Sequence, residues 1–215
     1  MRSRVQPPKS SRYQACGADA AIDCELTGAD LRDIAALHEV WVREHVLLRP
    51  LRKTDGPALL AILENDPTIR KRVGFAATVN SQADYLAQLK AIAADPGLIR
   101  YGIHERGRLV GMVSLWRDEG FFGQEPERGG YGFGFFLDET ARGRGLMTNS
   151  VAALMNCVEA NVKVRMFLAF CEDDNQASKA VLAKLGFSST DEVFGESSHG
   201  WKERKYLAHP KTAER

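Results

Sequence analysis

The chain has 215 residues, with 29 lysines and arginines against 28 aspartates and glutamates, for a formal net charge of +1 at pH 7. Its length allows one substantial core or at most two small ones, and at 44% hydrophobic and 27% charged it has the balance of a globular protein, not of a disordered chain. The near-cancelling charge excludes a nucleic-acid binder working by bulk charge, and no apolar run approaches the roughly 20 residues that a membrane helix requires.

Residues 1–20 stand apart. Arg2, Arg4, Lys9 and Arg12 precede the first acid, Asp19, and Pro7-Pro8 interrupts any helix. Without an amphipathic face this stretch reads as a frayed tail in preference to an organellar transit segment, and Met1 to Gln6 lack the apolar run of a secretory signal. Cys16, Cys24, Cys157 and Cys171 form no C-x-x-C pair and share no metal-ligand spacing with the five histidines. They are expected to be reduced thiols in a cytoplasmic, metal-free protein. Leu31, Ile34, Leu37 and Trp41, with Ala35 filling the stripe, predict an edge helix over 28–44. Residues 1–45 are thus assigned to an N-terminal extension, a basic tail and then a helix.

The main domain is placed at 46–208, followed by a tail at 209–215. It opens on a short strand at Val46-Leu47-Leu48, closed by Arg49-Pro50. Thr54 and Asp55 offer capping oxygens and Pro57 a first-turn proline for a helix through Leu59, Leu60 and Leu63. A second helix starts at Ser81, with Asp84 three residues on, and stops at Asp95-Pro96-Gly97. Strands at Ile99–His104 and Leu109–Trp116 flank an Arg106-Gly107 hairpin turn.

A polar loop then leads to Tyr131-Gly-Phe-Gly-Phe-Phe-Leu137, where glycines at 130, 132 and 134 are consistent either with a bulge or with close packing against aromatics. Met147, Val151, Leu154, Met155 and Val158 keep a 3.6-residue period. A strand at Val164–Phe170, a helix at Asn175–Leu185 and strands near Phe187–Phe194 and Trp201–Leu207 complete the chain. This irregular order predicts an α/β (α+β) fold with a mixed sheet and helices on its faces, not a wholly parallel doubly wound sheet.

The sharpest local signal is Arg142-Gly143-Arg144-Gly145, between a strand and a long helix. Glycines there permit positive φ, the helix start supplies unpaired N–H groups, and two guanidiniums add charge. This is a seat for a phosphate or pyrophosphate, or else an ordinary turn with solvated arginines. Gly145-Leu146-Met147-Thr148 lacks the lysine of a Walker loop, and the third glycine of a dinucleotide fingerprint is missing.

Together with Asn175-Gln-Ala-Ser178 and Lys184-Leu185-Gly186-Phe187 downstream, and Leu48-Arg49-Pro50-Leu51 at the opening, this turn resembles the GCN5-related N-acetyltransferase (GNAT) family, most closely its Rim-type branch. The resemblance spans about 46–208. It implies a mostly antiparallel, splayed sheet flanked by helices, and acetyl-CoA as co-substrate with no metal.

In the family's pattern the backbone of Phe135, Phe136 and Leu137 pairs with pantetheine. Arg142, Gly143, Arg144 and Gly145 receive the pyrophosphate with Leu146 and Met147, the last larger than usual there. Asn175 binds a pantetheine amide, and Ser178 serves the cofactor and the leaving thiolate. A strand N–H near Leu137 would stabilise the oxyanion.

The reaction implied is transfer of acetyl to a primary amine, either a protein N-terminus or a small molecule, by direct attack on the thioester. A catalytically weak acyl-CoA sensor is the alternative. The amine must be neutral to attack. A lysine with pKa about 10.4 needs a stronger base than an α-amine at about 7.7–8.0. The glutamate common in Rim-type relatives falls here on Gly132, and the tyrosine of many members falls on Leu182. Substitute bases are Glu139, a carboxylate from 118–127 or 191–196, or His199 through a water. The family's frequent dimerisation implies a homodimer.

Overall fold

The computed structural model describes residue 31 and residues 37–119, 129–194 and 202–210. The basic tail, residues 28–30 and 32–36 of the helix expected over 28–44, Glu125, Glu127, Glu196 and His199 lie outside the described residues. Among the described residues, eight strands make one sheet: β1 (Val40–Arg43), β2 (Val46–Pro50), β3 (Leu98–Glu105), β4 (Arg108–Arg117), β5 (Gly130–Leu137), β6 (Met166–Glu172), β7 (Ser188–Phe194) and β8 (Glu203–Ala208). Their order is β1-β2-β3-β4-β5-β6-β8-β7. Every neighbouring pair is antiparallel except β5 and β6, so the sheet is mixed and mostly antiparallel, as expected.

Helices α1 (Gly56–Asn65), α2 (Pro67–Arg72), α3 (Gly74–Ala77) and α4 (Gln82–Ala94) connect β2 to β3. Helix α5 (Leu146–Asn161) follows β5 and α6 (Gln176–Lys184) follows β6. None of the described helices is long and apolar enough to cross a membrane.

Local chemistry accounts for most boundaries. The β3–β4 turn puts Arg106 at φ 51 and Gly107 at φ 81, the paired positive values that a two-residue hairpin requires. Ser81 caps α4 by accepting from the Asp84 N–H at 3.1 Å. Pro67 and the Asp66 side chain, which accepts from the Thr68 N–H at 3.0 Å, start α2.

Two expectations are corrected. Val40–Arg43 is a strand paired with β2, not the end of a helix, and Trp41 is 59% exposed instead of buried on a helical stripe. A spacing of four between Leu37 and Trp41 fits either structure, and pairing with β2 decides it. In β5, pairing with β4 runs without a register shift from Tyr131 to Leu137, so its glycines make no bulge there.

The sheet carries a core on each face. On one, Leu48, Tyr101, Phe133 and Phe167 pack with Leu146, Val151, Leu154 and Val158 of α5. On the other face Leu59, Leu63, Phe75 and Tyr85 from α1, α3 and α4 pack with Leu109, Met112 and Phe136. Burial of these apolar side chains is the main force holding the layers together.

Asp55 precedes α1, as expected, but makes no side-chain cap. It turns inward to a bidentate pair with Arg49 at 2.8 and 2.9 Å, the Arg52 N–H at 2.7 Å and His104 Nε2 at 3.2 Å. Burial pushes its carboxyl up, but the bonds from His104, Arg49 and the Arg52 N–H outweigh this and hold it well below the ordinary 3.8. A carboxyl depressed on folding stabilises the protein above its unfolded value and loses that contribution as pH falls through the folded one. Asp55→Asn is expected to cost about 3 kcal/mol at pH 7, by leaving Arg49 without its charge partner. In urea denaturation at a series of pH values, the gap to wild type should narrow as the pH drops below about 4.

Candidate functional site

Strands β5 and β6 pair only at Gly130–Met166, Tyr131–Phe167 and Gly132–Leu168, and then part. β4 covers one edge of β5 from Tyr131 through Leu137, so beyond Gly132 the opposite edge of β5 faces the opening. Two adjoining cavities occupy this region. One, of 420 Å³, is lined by Phe135, Phe136, Leu137, the glycine turn and one side of α6. The other, of 580 Å³, lies among Trp116, Phe133, Phe135, Cys171, Glu172 and Glu203. Phe135, Asn175 and Ser178 line both, as do Arg72 and Val73, so the two volumes meet at the start of α6.

Most of the residues singled out from sequence come together in the smaller cavity. Phe135, Phe136, Leu137, Arg142, Gly143, Gly145, Leu146, Met147, Asn175 and Ser178 all line it. Gly143 and Gly145 have φ of 75° and 70°, and a Cβ built on Gly143 would meet nothing within 4 Å. This open turn at the N-terminus of a 16-residue helix presents backbone N–H groups and a partial positive charge. The geometry fits a phosphate ester.

Arg142 is also a structural staple. Its guanidinium donates to the Leu137 carbonyl at 2.9 and 3.1 Å and pairs with Asp66, the N-cap of α2. Asn175 caps α6 by accepting from the Ser178 N–H at 3.1 Å, which fixes the serine over the junction.

Two residues expected at the site stand elsewhere. Arg144 lines neither cavity and pairs with Glu105 at 2.9 Å. Glu139 is exposed on a short 3-10 turn after β5 and also lines neither cavity. Asp118 lines neither, whereas its neighbour Glu119 does reach the larger cavity.

Trp116 explains Gly132. The two residues face each other across β4 and β5, and a Cβ at 132 would lie 2.1–2.4 Å from the indole ring. A glutamate at 132 would therefore collide with the indole. Gly134 lies under the same ring, at 3.4 Å for an added Cβ, so these two glycines form its bed. The alternation of glycine with aromatics is thus a packing device. Leu182 is 1% exposed and presents an apolar wall where a tyrosine would bring a hydroxyl.

The larger cavity is lined by charged residues that the sequence reading did not place in a site. Arg100 stacks at 4.1 Å over Phe75, and burial pushes its guanidinium down to about 10 against the pull of Asp95. Arg72, at the end of α2, pairs with Glu172 at 3.2 Å and with Asp174 at 3.0 Å. Burial raises the Cys171 thiol to about 12, with Glu172 and Glu203 adding to it, so it is a poor nucleophile. The run Glu172-Asp-Asp-Asn175 is the signal that could have located the acidic wall. Arg72 had none, because α2 is too short to show a period.

Among known proteins, the acetyltransferase (GNAT) domain family matches residues 45–188. No curated protein sequence matches the chain. Similar solved structures include RimL, a ribosomal L7/L12 alpha-N-protein acetyltransferase in complex with coenzyme A, with TM-score 0.68 and 22% identity over 80% of this chain and 97% of that one. MccE, a microcin C7 self-immunity acetyltransferase bound to acetyl-CoA and AMP, gives 0.67 and 18% over 78% and 94%. RimJ of Mycobacterium smegmatis with a CoA-disulfide gives 0.66 and 17% over 79% and 84%. At these identities the likeness establishes the fold, splayed sheet included.

The contact at Gly132 makes a specific prediction. Gly132→Ala should destabilise the protein by about 1–3 kcal/mol through overpacking, and the same change in a Trp116→Ala background should cost much less. Thermal or urea unfolding of the four proteins measures this coupling.

Proposed function

This chain belongs to the GNAT acetyltransferase family, and from that premise we propose how its cleft divides the work between donor and acceptor. It is an acetyl-CoA-dependent acetyltransferase that acts on amines. Acetyl-CoA supplies the acetyl group, activated as a thioester. The observation that carries the assignment is the shared wall of the two cavities at Phe135, Asn175 and Ser178.

In this reading the smaller cavity holds the donor. The N–H groups at Gly143, Gly145, Leu146 and Met147 receive the pyrophosphate, aided by the Arg142 charge. The free edge of β5 at Phe135–Leu137 hydrogen-bonds the pantetheine amides as an added strand would. Asn175, besides capping α6, orients the last amide. Ser178 stands where the cavities join, and its hydroxyl hydrogen-bonds the sulfur and gives it a proton as it leaves.

The larger cavity receives the acceptor. Its opening and the carboxylates of Glu172 and Glu203 in its lining suit a cationic primary amine at the end of a chain, such as a protein N-terminus or a polyamine. The N-terminal specificity in the name of the RimL structure supports the first class.

Free-thiol release from acetyl-CoA, measured with N-terminal peptides and small amines, tests the reading; tight coenzyme A binding without any turnover would favour a sensor. Ser178→Ala should lower kcat by about tenfold or more with little change in coenzyme A affinity. Arg142→Ala should weaken coenzyme A binding by about tenfold, whereas Arg144→Ala should leave it within about twofold. Calorimetric titration distinguishes the two arginines.

A further inference from the structure

We propose that Glu172 and Glu203 together form the seat of the acceptor's amine and take up its proton during acetyl transfer. This rests on the acetyl-transfer reading above and supplies the base that Gly132 cannot. The two residues are register partners across β6 and β8, so their side chains leave the sheet on one face, and both line the larger cavity with Ser178.

Glu172 is only 5% exposed. Its Oε2 lies 3.2 Å from Arg72 Nε, yet that oxygen accepts no hydrogen bond. A buried carboxylate oxygen held by charge but not by an aligned hydrogen bond keeps capacity to accept one.

Next to Glu172, two carboxylates share one cation. Arg72 divides its guanidinium between Glu172 and Asp174, while Glu203 stands beside Glu172 as its register partner. Asp173, next in the chain, is paired with Arg204 at 2.8 and 2.9 Å. The neighbouring Cys171 thiol is held protonated. Lys71, Arg100, Arg117, Asp95 and Glu119 line the same cavity from α2, β3, β4 and the adjoining loops. An ammonium beside Glu172 and Glu203 completes the set.

The titration behaviour agrees with this placement. Burial pushes Glu172 above its ordinary 4.5, with Arg72 opposing the rise and Asp174 adding to it. Burial and the Glu172 carboxylate push Glu203 up as well. Like-charged carboxylates sharing a site titrate as a pair, one binding a proton more readily because the other is ionised. Such a pair is a stronger base than a solvated glutamate.

In the transfer step the acceptor ammonium gives one proton to the carboxylate pair, which frees the nitrogen lone pair. The nitrogen bonds to the acetyl carbon and the carbon–sulfur bond breaks. The nitrogen's second proton compensates the departing thiolate through the Ser178 hydroxyl, giving the amide and free thiol. The pair then returns its proton to solvent.

The test uses the full-length protein with acetyl-CoA and two acceptors, a peptide with a free N-terminal serine and spermidine. Rates are measured from pH 5 to 9 for wild type, Glu172→Gln, Glu203→Gln and Arg72→Gln. Each glutamate-to-glutamine variant should lose about 10²-fold in kcat/KM near neutral pH while keeping its affinity for coenzyme A. The deficit should shrink as pH rises, because the amine then arrives already neutral; a purely structural role would give the same deficit at every pH. Arg72→Gln keeps both carboxylates but removes the charge that favours the ionised form of Glu172, so the acidic limb should move to higher pH. Wild-type rates in both glutamate variants, or pH-independent deficits, overturn the carboxylate pair while the acetyl-transfer reading stands. A wild-type protein that turns over neither these acceptors nor any other amine overturns the acetyl-transfer reading, and the pair with it.

Discussion

Strands β5 and β6 run side by side for three residue pairs and then separate, and the cleft follows from that parting. Parallel strands normally continue their ladder, because an unpaired buried peptide group is expensive. Here the ladder is abandoned on one edge while β4 keeps the other edge of β5 in register to Leu137. The released edge, the start of α5 and the start of α6 are thereby brought to one opening. The opening with its two adjoining cavities is a consequence of this geometry, not of any single side chain.

Helix α2 holds the two lips of that opening in relation to one another. At its first turn Asp66 is tied to Arg142, which also grips the last carbonyl of β5. At its last turn Arg72 reaches Glu172 and Asp174 at and beyond the end of β6. A helix of only six residues has little stability of its own. Its position depends on these ion pairs and on Ile69, which is 5% exposed. The two cavities are therefore joined by a short element anchored by charge at both ends.

Much of this was legible in the sequence. The hairpin at Arg106-Gly107, the cap at Ser81 and the glycine turn before α5 are local signals, set by backbone preferences and readable within a few residues. The lining of the smaller cavity was visible for the same reason, since its backbone groups lie at one strand end and two helix starts. The lining of the larger cavity was not. Glu172 and Glu203 are far apart in the chain and meet only through the β6–β8 register, and Arg72 joins them from a helix without a discernible period. Arg144 shows the converse failure: its charge is local and conspicuous, but Glu105, brought near by the fold, claims it. Strand β1 was misread because its apolar spacing is compatible with two periodicities.

The indole of Trp116 resting on Gly132 and Gly134 also bears on how such a protein can change over generations. Installing an acid at 132 first would meet the ring; trimming the ring first would leave a hollow beside the reaction centre. Either order passes through a less stable intermediate, so the two positions depend on one another. A lineage that began with this tryptophan would find it easier to recruit a proton acceptor from elsewhere in the cleft than to rebuild one at that position.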